Sequence, residues 1–102
     1  MVFERISTGI FGLDGKILAQ AYKEYSLIYL QPGWIELNPQ KIWNSVKSVI
    51  QQVTQKTKNN PVKALAVSSL GEAITPLNKN GQILYNSLSN LDTRTDYLVP
   101  WW

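Results

Sequence analysis

The chain has 102 residues, room for one small domain. Its 44% apolar and 17% charged residues fit a globular protein, and its net charge of +3 is scattered, with Lys56 and Lys58 the densest basic pair, which argues against a nucleic-acid partner. Cysteine and histidine are both absent, which excludes disulfides, thiolate chemistry, the commonest general base and the commonest metal ligand together.

In chain order, residues 9–13 read as a short buried strand and residues 16–25 as its partner. Asp14-Gly15 between them is a hairpin turn signal, because both residues tolerate positive φ. Residues 26–38 carry Leu27-Ile28-Tyr29-Leu30 and then Pro32-Gly33, which is loop punctuation. Asn38 can cap a helix and Pro39 suits its first position. Ile42, Val46, Val49, Ile50 and Val53 form one stripe of helical period, widened by Trp43, which is expected in the core. This helix should end near Lys58, before Asn59-Asn60-Pro61.

Residues 62–68 form an apolar run of strand length, which predicts a strand covered on both faces. Residues 73–77 are a shorter strand candidate, and Asn78-Lys79-Asn80-Gly81 is a turn before Ile83-Leu84-Tyr85. The ending Leu98-Val99-Pro100-Trp101-Trp102 is strongly apolar, as if the chain stopped in mid-structure. No stretch approaches the roughly 20 apolar residues of a membrane span. The N-terminus lacks the basic region and apolar core of a signal peptide, so a cytoplasmic chain without a membrane partner is expected.

Several of these segments share a second property. Leu13-Asp14-Gly15-Lys16-Ile17-Leu18-Ala19 with Tyr25, Gln31-Pro32-Gly33-Trp34-Ile35-Glu36 and Asn38-Pro39 resemble the opening of the FGGY carbohydrate kinases, of the xylulokinase and glycerol kinase type. Trp43, Leu65-Ala66-Val67-Ser68-Ser69-Leu70-Gly71-Glu72, Asn78-Lys79-Asn80-Gly81 and Asn90-Leu91-Asp92-Thr93-Arg94-Thr95 are similar to later motifs of that family, in order and at family spacing. The resemblance implies an α/β fold: a partial ribonuclease-H-like domain of the actin and hexokinase kind, with a mixed sheet, a β-hairpin, one long helix and a buried strand. It implies that residues 1–102 are a single N-terminal domain, cut at both ends. In full length such a kinase transfers the ATP γ-phosphate to a sugar or polyol hydroxyl with Mg²⁺. The phosphate-loop aspartate would fall just before Met1, and Ser7-Thr8-Gly9 has no acid in place. The catalytic base and adenosine site would lie downstream, so no catalytic residue, cofactor or metal is expected in these residues and the chain alone should be inactive.

By the same resemblance Glu72 contacts sugar hydroxyls, a task that suits a carboxylate. By residue type alone it is a solvated loop glutamate. Leu70 and Gly71 would flank it, and glycine at 71 leaves a roomier pocket or lets a backbone amide approach. Asn90 replaces the family's frequent tryptophan. Asp92 and Arg94 form a local ion pair or orient the sugar loop. Trp34 is read as packing the Pro-Gly loop onto the helix, and Asp14 as a turn residue rather than a metal ligand.

A second reading is an interaction module. In the implied fold the first strand is central, and its absence would expose unpaired edges that recruit other chains. A homodimer or higher oligomer is then expected, unless residues 2–6 fold back as a replacement strand.

Overall fold

The computed structural model describes residues 3–71 and 73–101. The chain opens with an antiparallel hairpin, β1 (Phe3–Phe11) and β2 (Ile17–Ser26), in the register Thr8↔Ala21 and Ile10↔Ala19. Its turn lies at the predicted Asp14-Gly15. Gly15 takes φ +81°, its amide reaches Gly12 O at 2.9 Å, and Asp14 Oδ1 accepts from the Lys16 amide at 3.1 Å. Residues 3–6 are therefore the start of β1, not a separate strand folded back, while Val2 lies outside the described residues.

Helix α1 (Pro39–Lys56) lies across β1 and β2. Asn38 caps it, its Oδ1 accepting from the Lys41 amide at 3.0 Å, and Pro39 fills the first turn, where its missing N–H costs nothing. The buried stripe is Ser45, Val49 and Val53, at i, i+4 and i+8. Ala19 of β2 is buried on the hairpin side. Trp43 corrects its expected place in the core. It is off that stripe and 56% exposed.

Residues 26–38 are not a loop. They form a second hairpin, β3 (Ile28–Gln31) with β4 (Trp34–Leu37), closed by Gly33 at φ +81°. A short β5 (Ser87–Leu88) joins the other side of β4 through Glu36↔Leu88 and Leu37↔Ser87. The order is β3-β4-β5, with every ladder antiparallel. A 3₁₀ helix, Asp96–Trp101, follows.

The run 62–68 corrects the expectation of a buried strand. It joins no ladder among the described residues, and Leu65 and Val67 are 78% and 83% exposed. An apolar run becomes a strand only where a neighbouring edge offers hydrogen bonds, and among the described residues no strand is hydrogen-bonded to it. Residues 73–77 are likewise no strand beyond a single bridge, Leu77↔Ile83. The turn between those two residues forms as predicted. Asn78 Oδ1 accepts from the amides of Asn80 and Gln82, both at 2.9 Å, and Gly81 takes φ +76°. No described helix is long and apolar enough to cross a membrane.

Candidate functional site

Strand β4 aims alternate side chains to one face, so Trp34 and Glu36 point the same way. Both meet Arg94. The guanidinium carbon lies 4.4 Å from the Trp34 ring centroid, and Arg94 Nη2 donates to Glu36 Oε1 at 2.9 Å. The same Nη2 donates to Asp92 Oδ2 at 2.8 Å, and Arg94 Nε to both Asp92 oxygens at 3.0 Å. This is a fork gripping one carboxylate while one prong also reaches a second.

Neutral donors complete the cluster. Tyr85 Oη donates to Glu36 Oε1 at 3.0 Å and Asn86 Nδ2 to Oε2 at 2.9 Å. Asp92 accepts the Ile35 amide at 2.7 Å and the Arg94 amide at 2.9 Å. The Glu36 side chain is 1% exposed and that of Asp92 3%. Two buried carboxylates thus share one guanidinium, and no buried polar side-chain atom among the described residues lacks a partner.

These contacts set the titration. The Asn86 hydrogen bond, with those of Arg94 and Tyr85, holds the Glu36 carboxyl below its usual range against the opposing effect of burial. The Arg94 hydrogen bond comes first for Asp92, with the amides of Arg94 and Ile35 behind it, and holds that carboxyl at about 2 although burial opposes it. Bonding to Asp92 and then Glu36 pushes Arg94 up.

A second tie runs alongside. Thr93 N donates to Gly33 O at 2.9 Å, and Ser89 N to Ile35 O at 3.0 Å. A Cβ on Gly33 would collide with Thr93 Oγ1. The approach is so close that glycine is required for space as well as for φ.

The six residues predicted to touch a ligand separate into two groups. Asp92 and Arg94 are brought together, and their polar atoms are engaged with Glu36, Trp34 and backbone. Asn90 sits exposed in the turn that this cluster holds, where Ser89 Oγ lies 3.3 Å from Asn90 Oδ1 and Asp92 N donates to Ser89 O at 3.0 Å. Leu70 is 67% exposed. Gly71 is exposed at φ +65°, with open space where a Cβ would be. Backbone conformation, not crowding, therefore demands glycine there. Glu72 lies outside the described residues. Trp34 packs against Arg94, whereas the main contacts of α1 are with β1 and β2. Sequence reasoning missed Glu36, Tyr85 and Asn86. The alternation that pairs Trp34 with Glu36 on one face was the available signal for the first.

Ser7-Thr8-Gly9 does not fit a nucleotide phosphate. It lies inside β1, paired in register with Tyr22, Ala21 and Gln20, rather than turning around an anion. Among the described residues no group of three or more acidic side chains is placed to hold Mg²⁺.

Residues 5–102 match the family described as the N-terminal domain of the FGGY carbohydrate kinases. A glycerol kinase of Azorhizobium caulinodans is 37% identical over 93 residues, which is 88% of this chain and 19% of that protein. Among solved structures, the gluconate kinase of Lactobacillus acidophilus superposes with a TM-score of 0.87 at 26% identity, over 94% of this chain and 19% of the other. The xylulose kinase of Rhodospirillum rubrum superposes with a TM-score of 0.85 at 20% identity, over 95% and 21%. The expected fold class, a partial ribonuclease-H-like α/β domain, therefore holds. The chain spans about a fifth of the length of these relatives.

Proposed function

The chain belongs to the FGGY family of carbohydrate kinases, and from that premise we propose that it forms one wall of the acceptor pocket of an ATP-dependent sugar or polyol kinase. In full length such an enzyme moves the γ-phosphate of ATP, with Mg²⁺, onto an acceptor hydroxyl. These 102 residues on their own do not carry out that transfer. Phosphoryl transfer needs cradled phosphates, metal and an oriented nucleophile, and Ser7-Thr8-Gly9 is committed to a strand ladder.

The observation that supports this reading best is the Glu36–Arg94–Asp92 cluster. It ties the Pro-Gly-Trp-Ile-Glu segment to the Asp-Thr-Arg segment and so fixes the turn bearing Asn90. In the proposed role Asp92 and Arg94 position that turn rather than touch the acceptor. Glu72 supplies the carboxylate for acceptor hydroxyls in this role, and Leu70, Gly71 and Asn90 contribute to the same wall. A carboxylate accepts two hydroxyl hydrogens through charge-assisted bonds, which suits a vicinal diol.

The test has two arms. The chain is incubated with ATP, Mg²⁺ and glycerol, gluconate, xylulose and other polyols. No acceptor-dependent ADP is expected, and its appearance would overturn the claim of inactivity. The same acceptors are titrated into labelled chain by NMR up to about 100 mM, beyond a millimolar Kd. Shifts are expected at residues 70–71 and 89–91 and should vanish in Glu72→Ala. Silence with every acceptor sinks the acceptor wall.

A further inference from the structure

The turn Asn78-Lys79-Asn80-Gly81 takes no part in the cluster around Glu36, and it carries a chemistry of its own. Its bonds are local. Asn78 N donates to Gln82 O, Gly81 N to Asn78 O and Leu84 N to Pro76 O, each at 3.0 Å. Asn78 Nδ2 donates to Gln82 Oε1 at 2.7 Å, and Asn78 Oδ1 accepts the amides of Asn80 and Gln82. All of these bonds lie within residues 76–84, so the turn forms whatever else packs on the chain.

Asn80 directly precedes Gly81, and both are exposed. Asn78 spends its side chain on holding the turn, whereas the Asn80 side chain makes no hydrogen bond among the described residues. Gly81 takes φ +76° with nothing within 4 Å of the place of a Cβ. The side-chain carbonyl carbon of an asparagine is an electrophile within reach of the next backbone nitrogen. A side chain on that next residue obstructs the approach and restricts the backbone, and glycine does neither. Asparagine is a thermolabile residue for this reason.

We infer that Asn80 is a site of spontaneous backbone modification, at which the chain converts asparagine mainly to isoaspartate. The Gly81 amide leaves Asn78 O and gives its proton to solvent base, and its nitrogen bonds to Asn80 Cγ. The Cγ–Nδ2 bond breaks, and Nδ2 departs as ammonia with a proton from solvent, leaving a succinimide. Water then opens the ring. Addition at the main-chain carbonyl carbon of residue 80 leaves isoaspartate, and addition at Cγ leaves aspartate. One water is gained and one ammonia lost, with no oxidant or reductant. Isoaspartate routes the main chain through Cβ and Cγ, which makes it one atom longer. The bonds from the amides of residues 80 and 81 to Asn78 then no longer fit together, and the Leu77↔Ile83 bridge opens.

The fold withholds the other asparagines. Asn38 and Asn60 precede prolines, which have no amide proton to give. Asn44 lies in α1, whose ladder holds the Ser45 amide. Asn86 donates through Nδ2 to buried Glu36, and Ser87 belongs to β5. Asn59, Asn78 and Asn90 precede larger side chains.

The test is a time course of the intact chain in mildly alkaline buffer at body temperature, digested and read by mass spectrometry over several weeks. A gain of one mass unit is expected, located at residue 80 by fragmentation. Chromatography should divide the product into isoaspartyl and aspartyl forms, with the first in excess. Asn80→Gln should abolish the gain, since the longer side chain closes its ring far more slowly. Amide exchange at residues 80–84 should quicken in the converted chain. An Asn80 that stays intact overturns the proposal. So do earlier conversion of Asn44 or Asn86, a gain that persists in Asn80→Gln, or exchange at 80–84 that conversion leaves unchanged.

Discussion

Arg94 donates to Glu36 across 58 positions of sequence, and the Glu36 side chain it reaches is 1% exposed. Removing one partner of a buried charge pair leaves the other stranded, which costs far more than the pair contributes. Arg94→Met strands two carboxylates at once. It should lower the urea midpoint, followed by far-ultraviolet circular dichroism, more than Asp92→Asn, Gly33→Ala or Asn38→Ala. Arg94→Lys keeps the charge and loses the fork, so its midpoint should fall between those of the parent and Arg94→Met. A lysine variant equal to the parent would show that charge alone holds the cluster.

Acid should loosen the same cluster. Unfolded Asp and Glu titrate at about 3.9 and 4.3. In the fold Asp92 is held at about 2 by its bond from Arg94, and Glu36 is also held down. The folded state therefore binds fewer protons than the unfolded state in this window, and protonation favours unfolding. The urea midpoint should be level above about pH 5 and fall between about pH 4 and 2. Asp92→Asn should remove part of that slope while lowering stability at neutral pH. A parent midpoint unchanged down to pH 2 would contradict the assignment.

Two glycines share φ +81° but not their surroundings. Around Gly15 there is open space, so Gly15→Ala should cost only the backbone penalty, about 1 kcal/mol. Gly33→Ala adds a collision with Thr93 Oγ1 and should cost more, by at least about 1 kcal/mol. Thr93→Ala in the Gly33→Ala background should recover part of the difference, read by thermal unfolding of the parent and the three variants. Equal costs at both glycines would mean that residues 33 and 93 are not packed as described.

The cap of α1 gives a smaller effect. Asn38→Ala loses the bond to the Lys41 amide and should cost about 1 kcal/mol, whereas Asn38→Asp keeps an acceptor and should cost little. Loss of helical circular dichroism on heating measures both.

The elements legible in the sequence were those governed by near neighbours. Asp14-Gly15 and Asn78-Lys79-Asn80-Gly81 make their turns with atoms two to four residues away, and Asn38-Pro39 starts a helix by local bonding. The run 62–68 was misread because apolarity tells of a wish for burial and not of a partner. Trp43 was misread for the same reason. In the site, a local ion pair of Asp92 and Arg94, two residues apart, was one of two readings the sequence offered, and the pair is formed. Glu36 was not legible, because its partners Tyr85, Asn86 and Arg94 lie 49, 50 and 58 positions on. A strand of four residues, Trp34–Leu37, carries too short a pattern to announce that one of its members is an anion in the interior.

That separation also sets an order of events during synthesis. A ribosome delivers Glu36 well before Arg94, while the intervening residues are still being made. Until then Glu36 has no counter-ion, and burying it is unfavourable. The first hairpin and α1 draw on contacts within residues 3–56 and can settle early. β4 must wait in water for the guanidinium, so it closes after the first hairpin and α1 have settled.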